Sequence, residues 1–286
     1  MKILLLGGGG LAGNTFIKYF LSFKNRYSIG VTFSEHKSNY NLNLDNQSIS
    51  TFYNINAFKY NLVSSVINDY KPQVIINTIG LTKRISNTID PKLSIYLNSY
   101  FPHLLLKTSN EKDIKLIHLS TDCIFSGYNG NYSEDSIPDA LDIYGKTKFL
   151  GELNEKNALT LRTSILGPEI RRFLGIYSWF INQKTDVFGF DKAFFSGITS
   201  LELAKIIFHI IDHNYDLYGI YNLASEKISK FELLNIIKKI KKMNINIIKS
   251  DSEIYDRSLN NKKFRSVSEY KVPNWENMIL DLINYE

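Results

Sequence analysis

The sequence predicts an α/β fold, a doubly wound parallel sheet followed by a smaller C-terminal α/β part. Three observations lead there. A short, wholly apolar strand, Ile3 to Leu6, runs directly into a glycine cluster. Further apolar strands then alternate with segments of helical period. Strands that are apolar on both sides imply a sheet covered on both faces by helices.

The elements follow in order. Asn14 to Phe23 reads as the first helix, Ser28 to Phe33 as a strand and Thr51 to Ile55 as another. Leu62, Val63, Val66, Ile67 and Tyr70 recur at helical spacing, and Pro72 stops that helix. Val74 to Ile76 is a buried strand. Leu93, Leu97, Leu104 and Leu105 mark a helix bent at Pro102, and Lys115 to Leu119 is the next strand. Tyr144 to Glu155 reads as a helix and Ala158 to Arg162 as a strand. Beyond that point two capping boxes, Thr199 with Glu202 and Ser229 with Glu232, open the helices Leu201 to Ile211 and Phe231 to Met243. Gly219 to Leu223 is a strand, and Trp275 to Tyr285 a closing helix. We divide the chain into a dinucleotide-binding part, 1–164, and a substrate-binding part, 165–286, packed on the first with some segments free to return to the sheet.

Composition narrows the class. Among 286 residues, 44% are hydrophobic and 22% charged, the balance of a globular protein. The net charge of +6 suits an anionic ligand without implying nucleic acid. One cysteine, Cys123, excludes an intramolecular disulfide and a cysteine-rich zinc site, so no metal is expected. The apolar start is too short for a signal peptide and no stretch reaches a membrane span, so the cytoplasm is the expected location. The run Lys238 to Lys242 reads as the solvated side of a helix whose Phe231, Leu234, Ile237 and Ile240 face inward.

Three motifs carry chemistry. Gly7, Gly10 and Gly13 form G-x-x-G-x-x-G between a strand and a helix. That arrangement lets the backbone approach a pyrophosphate at the helix N-terminus, and Leu11 opens the helix beside it. Tyr144 and Lys148 lie one helical turn apart. An ammonium stabilises a phenolate, which turns a phenol into a usable proton donor for a carbonyl. Ser120, Thr121 and Asp122 stand at the end of a strand, where ligands bind in such sheets, although such residues also favour turns and caps.

Together with Phe125-Ser126-Gly127, Tyr132-Ser133-Glu134, Pro138, Gly151-Glu152 and Leu161-Arg162-Thr163-Ser164, these motifs resemble the dTDP-4-dehydrorhamnose reductase family of extended short-chain dehydrogenases/reductases. The segments Phe195 to Thr199 and Asp256 to Asn260 resemble a branch acting on 4-keto-6-deoxy sugar nucleotides. The resemblance implies a Rossmann-type fold and reduction of a sugar keto group in the synthesis of surface polysaccharide, lipopolysaccharide included. Tyr144 would protonate the developing alkoxide, Lys148 would tune it and hold the nicotinamide ribose, and Thr121 would bind the keto oxygen. The expected cofactor contacts are Gly7, Gly10, Leu11, Gly13, Ser34, Asn54, Ile55, Thr78, Gly80, Tyr144 and Lys148. The expected substrate contacts are Thr82, Thr121, Cys123, Phe125, Tyr144, Trp179, Phe195 and Arg257. Arg257 is assigned to the substrate diphosphate, against the alternative of a surface pair with Asp256 or Glu253.

The chain departs from the family at Asn54, where an acidic residue is usual, at Cys123, where Tyr is frequent, and at the tip of the second strand. There Glu35 would favour NAD, whereas Ser34, His36 and Lys37 would favour NADP; the balance goes to NADPH, with NADH the alternative. Cys123 also stands where a dehydratase carries its glutamate, which argues against dehydration. An epimerase, or a non-catalytic dinucleotide-binding regulatory subunit, are the other readings. The expected partner is a small-molecule sugar nucleotide, with a homodimer as a further possibility, no nucleic acid and no membrane insertion.

Overall fold

The structure is a computed structural model describing residues 1–23, 26–40, 49–86, 90–169, 175–213 and 216–286. In chain order its elements are β1 (Lys2–Leu6), α1 (Leu11–Leu21), β2 (Ser28–Thr32), β3 (Ile49–Phe52), α2 (Tyr60–Tyr70), β4 (Val74–Asn77), α3 (Lys83–Ser86) and α4 (Pro91–Ser94). A π-helical stretch, Ile95–Tyr100, leads into α5 (Phe101–Lys112), β5 (Lys115–Ser120), α6 (Ile143–Leu150) and β6 (Ala158–Arg162). Then come β7 (Ile165–Leu166), α7 (Ile176–Ile181), β8 (Val187–Phe190), β9 (Ala193–Phe195), β10 (Ile198–Thr199), α8 (Ser200–Asp212), β11 (Gly219–Asn222) and β12 (Ile228–Ser229). The last are α9 (Lys230–Lys241), β13 (Ile247–Ser250), β14 (Tyr255–Asp256), α10 (Lys262–Val267) and α11 (Trp275–Tyr285).

These elements form two compact units. The first holds Met1–Ser120, Leu141–Leu161 and Asp216–Ile220; the second holds Thr121–Ala140, Arg162–Tyr215 and Tyr221–Glu286. The first unit is thus discontinuous in the chain. The chain leaves the first unit after β5 and returns to it for α6 and again at β11.

The first unit is built on a seven-stranded parallel sheet in the order β11-β6-β5-β4-β1-β2-β3. Strand order reverses between β1 and β4, which pair in parallel with Ile3 opposite Val74 and Leu6 opposite Asn77. In such sheets this reversal opens a crevice at the strands' carboxyl ends, where ligands bind. Ile3 to Leu6 are fully buried, as expected of a central strand covered on both faces. From α2, Val63, Val66 and Ile67 pack with Leu4, Ile75 and Leu116, each such side chain contributing about 1.5–3 kcal/mol by burial.

Helix α2 ends at Tyr70, ahead of Pro72 as expected, with Lys71 as its C-cap at a left-handed φ of 53°. Proline disfavours a right-handed helical residue before it, and Lys71 takes the left-handed alternative. Ahead of Pro102, where a bend was expected, the helix runs as a π-helical stretch. Pro102 sits in the first turn of α5, where a missing N–H costs little.

The second unit has short strands. In β7–β10 and β8–β13 the pairs are parallel; β9 pairs with β12 antiparallel and with β14 in parallel. The box at Ser229 is complete, its hydroxyl accepting from Glu232 N at 3.1 Å while Glu232 accepts from Ser229 N at 3.0 Å. At Thr199 only half forms: Thr199 caps Glu202 N, but the Glu202 carboxylate accepts from Tyr270 Oη at 2.8 Å. Helix α9 buries Leu233, Leu234 and Ile237; Phe231 and Ile240 are only partly covered. Its C-terminal lysines suit the negative end of a helix. Among the described residues no helix is long and apolar enough to cross a membrane.

Candidate active site

The glycine turn joins β1 to α1. Gly7 has φ +93°, a left-handed backbone that L side chains rarely adopt, and a Cβ at Gly13 would collide with the Gly7 carbonyl. A Cβ at Gly10, by contrast, would meet only Gly7 O, at 3.5 Å, so the room above the turn is open. Gly10 is the N-cap of α1; no side chain caps that end and its first turn holds no acidic residue. An open helix N-terminus with a glycine cradle is what a dinucleotide pyrophosphate requires, and these residues fit one. Leu11 is partly exposed at the first position of the helix.

Around this turn the structure places the other expected cofactor residues. Thr32 Oγ1, at the end of β2, accepts from Gly7 N at 3.2 Å. Ser34 Oγ lies 3.3 Å from Tyr40 Oη. The Glu35 carboxylate accepts from Asn39 Nδ2 at 2.7 Å, and His36 Nδ1 lies 3.0 Å from Ser38 Oγ. Asn54 has φ 59°, and its N–H donates to Glu35 O at 3.2 Å; Ile55 N donates to Phe33 O at 2.9 Å. At the end of β4, Thr78 Oγ1 donates to Leu6 O at 2.7 Å, so the hydroxyl braces the glycine turn. Thr82 is exposed beyond it.

Tyr144 and Lys148 lie on α6, which Asp142 caps by accepting from Gly145 N at 2.9 Å. Asp142 also pairs with Lys83 at 2.7 Å. Tyr144 is partly buried, and Lys148 is only 6% exposed. The ammonium of Lys148 donates to Leu119 O at 2.6 Å. Burial pushes Lys148 down from 10.5 to about 8, against the opposing pull of Glu152. Glu152 in turn accepts from Ser120 Oγ at 2.6 Å. Beneath them His118 is buried beside Asn77 Nδ2 at 3.0 Å, and burial, with Lys148 and His103 adding to it, holds it well below its usual range.

Sequence reasoning missed Asn98. Its Oδ1 accepts from Leu81 N at 2.8 Å and its Nδ2 donates to Thr147 Oγ1 at 3.3 Å, which ties the loop after β4 to α6. A Cβ at Gly80 would lie 3.2 Å from Asn98 Oδ1 and 3.8 Å from Lys148 Nζ. The one available signal was a polar residue beside Leu97 interrupting the apolar helical pattern before Pro102.

In the second unit Thr121 caps a 3-10 turn, Asp122–Ile124. Its Oγ1 accepts from Cys123 N and donates to Asp122 Oδ1, both at 3.2 Å. Cys123 is partly buried and forms no disulfide. Phe125, expected as a substrate contact, has a fully buried side chain that stacks on Tyr132 at 4.1 Å and 3°. Trp179 and Phe195 are partly buried, Phe195 against Trp275 at 5.4 Å. Arg257 donates from Nε to Phe125 O at 3.0 Å and lies 4.3 Å from the Tyr255 ring centre. Asp256, expected as its alternative partner, pairs with Lys227 at 3.2 Å.

Comparison with known proteins extends these observations. A family model described as the RmlD substrate binding domain matches residues 1–285. Methionine adenosyltransferase 2 subunit beta of Bos taurus is 28% identical over 199 residues, which are 68% of this chain and 53% of that protein. The match thus spans about half the length of that relative. A dTDP-4-dehydrorhamnose reductase of Aggregatibacter actinomycetemcomitans is 27% identical over 237 residues, 79% of this chain and 74% of that protein. The solved dTDP-4-dehydrorhamnose reductase of Bacillus anthracis, in complex with NADP, superimposes with a TM-score of 0.80 at 19% identity, covering 100% of this chain and 99% of its own. That likeness shows the fold. With a family model matched from end to end on a doubly wound sheet, the chain belongs to the RmlD substrate binding domain family.

Proposed function

We infer that the chain is an NAD(P)H-dependent reductase of the 4-keto group of a nucleotide-activated 6-deoxy sugar, in the supply of surface polysaccharide precursors. The observation that carries this reading is Lys148, a buried ammonium held at about 8 one turn from Tyr144. Desolvation is costly for a lysine, and such placement is characteristic of groups that tune a neighbour's acidity. The dTDP-4-dehydrorhamnose reductase relative supports the substrate class, and the NADP held by the Bacillus anthracis enzyme supports the cofactor class. NADPH is preferred because Glu35, the residue that would read an unphosphorylated ribose, is engaged by Asn39.

When bound, the reduced nicotinamide supplies a hydride to the sugar carbonyl carbon. The chain's own residues handle the proton. Tyr144 gives its phenolic proton to the carbonyl oxygen as negative charge develops there. The Lys148 ammonium, oriented by Leu119 O, lowers the cost of the resulting phenolate. The family resemblance assigns Thr121 a hydrogen bond to the substrate, and solvent restores the Tyr144 proton.

The test is NADPH and NADH consumption by the purified chain with dTDP- and UDP-linked 4-keto-6-deoxy sugars. Net oxidation, lost in Tyr144→Phe, supports the reading. Isomerised sugar without net oxidation would instead indicate an epimerase. A second reading has its own observation: the relatives include a protein named as a subunit of methionine adenosyltransferase. Dinucleotide binding without turnover of any keto sugar would favour a non-catalytic subunit.

A further inference from the structure

We propose that Arg162 is a positioning residue for Thr121, acting through the ring of Phe125. The role of Thr121 rests on the reductase reading above; the geometry lies wholly within the second unit.

Arg162 ends β6 and is 2% exposed. Burying a guanidinium is expensive, and an apolar side chain would fill the same space at less cost. Its neighbours indicate what it does there. Nη1 donates to Glu134 O at 3.2 Å, and the guanidinium carbon lies 5.5 Å from the centre of the Phe125 ring. That ring also stacks on Tyr132, whose hydroxyl accepts from Gly127 N at 3.2 Å and Asn129 N at 3.1 Å. Phe125 therefore has a cation and a second ring holding its side chain, and both partners are themselves tied to backbone.

The backbone beside that ring is held as firmly. Phe125 N donates to Asp122 O at 3.0 Å, and Phe125 O accepts from Arg257. Asp139 N and Ala140 N both donate to Ile124 O, at 3.1 and 3.0 Å. Only the 3-10 turn Asp122–Ile124 separates Phe125 from Thr121, and Thr121 caps that turn. With so short and so bonded a connection, a shift of the ring has nowhere to be absorbed before it reaches the Thr121 hydroxyl. A lysine at 162 would keep the charge but lose the planar guanidinium with its several fixed donors.

The experiment pairs kinetics with hydrogen exchange on the full chain. Arg162→Lys should lower kcat with the keto sugar by about 10- to 100-fold, the scale of a small misplacement of a reacting group, while NADPH affinity stays unchanged. In a Thr121→Val background the same substitution should cost nothing further, a non-additivity that a merely structural role would not produce. The amides of Cys123 and Phe125 should exchange faster. Phe125→Leu, which removes the ring but keeps an apolar side chain, should give the same signature if Arg162→Lys does not fold. An equal loss of turnover in both backgrounds, or unaltered exchange at Cys123 and Phe125, overturns the proposal. Should the wild-type chain oxidise NADPH with none of the keto sugars, the reductase reading fails, and the exchange measurement still decides whether Arg162 holds the turn.

Discussion

The two units solve different problems with different materials. The first presents backbone: a glycine turn, an uncapped helix N-terminus and strand-end carbonyls, with Tyr144 and Lys148 added on one short helix. The second presents side chains anchored to one another: Thr121 on a 3-10 turn, Phe125 on Tyr132, Arg257 on Tyr255. A dinucleotide is the same molecule for every enzyme that uses it, and backbone geometry suffices to hold it. A sugar differs from case to case, and side chains on irregular segments are the means of adapting to it. If that contrast holds, lesions in the glycine turn should act on the dinucleotide and lesions in the second unit on the sugar.

The largest effect is expected from Gly10→Val. The side chain would project into the open space above the turn without striking the fold, since only Gly7 O lies within reach. NADPH affinity should fall by about 100-fold, equivalent to one or two charge-assisted hydrogen bonds, with an unchanged melting temperature. A fluorescence titration measures it, and undiminished affinity would remove the glycine turn from the site.

Arg257→Ala probes the other unit. With Nε committed to Phe125 O, its Nη groups are assigned to the substrate diphosphate. The KM for the sugar nucleotide should rise about tenfold while NADPH affinity stays unchanged. A fall in NADPH affinity with the sugar KM unmoved would reverse the contrast.

Lys148 makes a smaller prediction with two opposite signs. Its folded value of about 8 lies below the ordinary 10.5. Turnover should decline as pH rises through about 8, because the ammonium that stabilises the phenolate is lost. Stability should move the other way. Between 8 and 10.5 the unfolded lysine still holds its proton and the folded one does not, so this group's contribution to stability grows as pH rises. Melting temperatures of wild type and Lys148→Met across that range should converge toward alkaline pH. Parallel curves would show that burial of Lys148 has no such linkage.

How much of this was legible in the sequence differs between the units for the same physical reason. Ile3 to Leu6 in β1 and Val74 to Ile76 in β4 are all apolar, and in α2 the buried positions repeat at helical spacing, so burial wrote itself into the pattern. The glycine turn was readable because Gly7 and Gly13 are required by backbone geometry. The π-helical stretch was not readable, since an extra residue in a turn leaves no compositional mark. In the second unit β7, β10, β12 and β14 have two residues each, too few to show any period. Thr199 and Glu202 carry the spacing of a capping box, yet Tyr270, distant in sequence, takes the carboxylate. Phe125 matched a family motif by position, but only the fold reveals that its ring faces inward.

On the reading proposed above, Tyr144 protonates a keto sugar which the bound dinucleotide reduces. The most direct measurement is the rate of NADPH loss at saturating 4-keto-6-deoxy sugar nucleotide for wild type and Tyr144→Phe, alongside NADPH affinity for both. Turnover by wild type, a fall of about 100-fold or more in the variant, and equal affinity are expected. Tight NADPH binding by both proteins with no oxidation by either, across dTDP- and UDP-linked sugars, would contradict it.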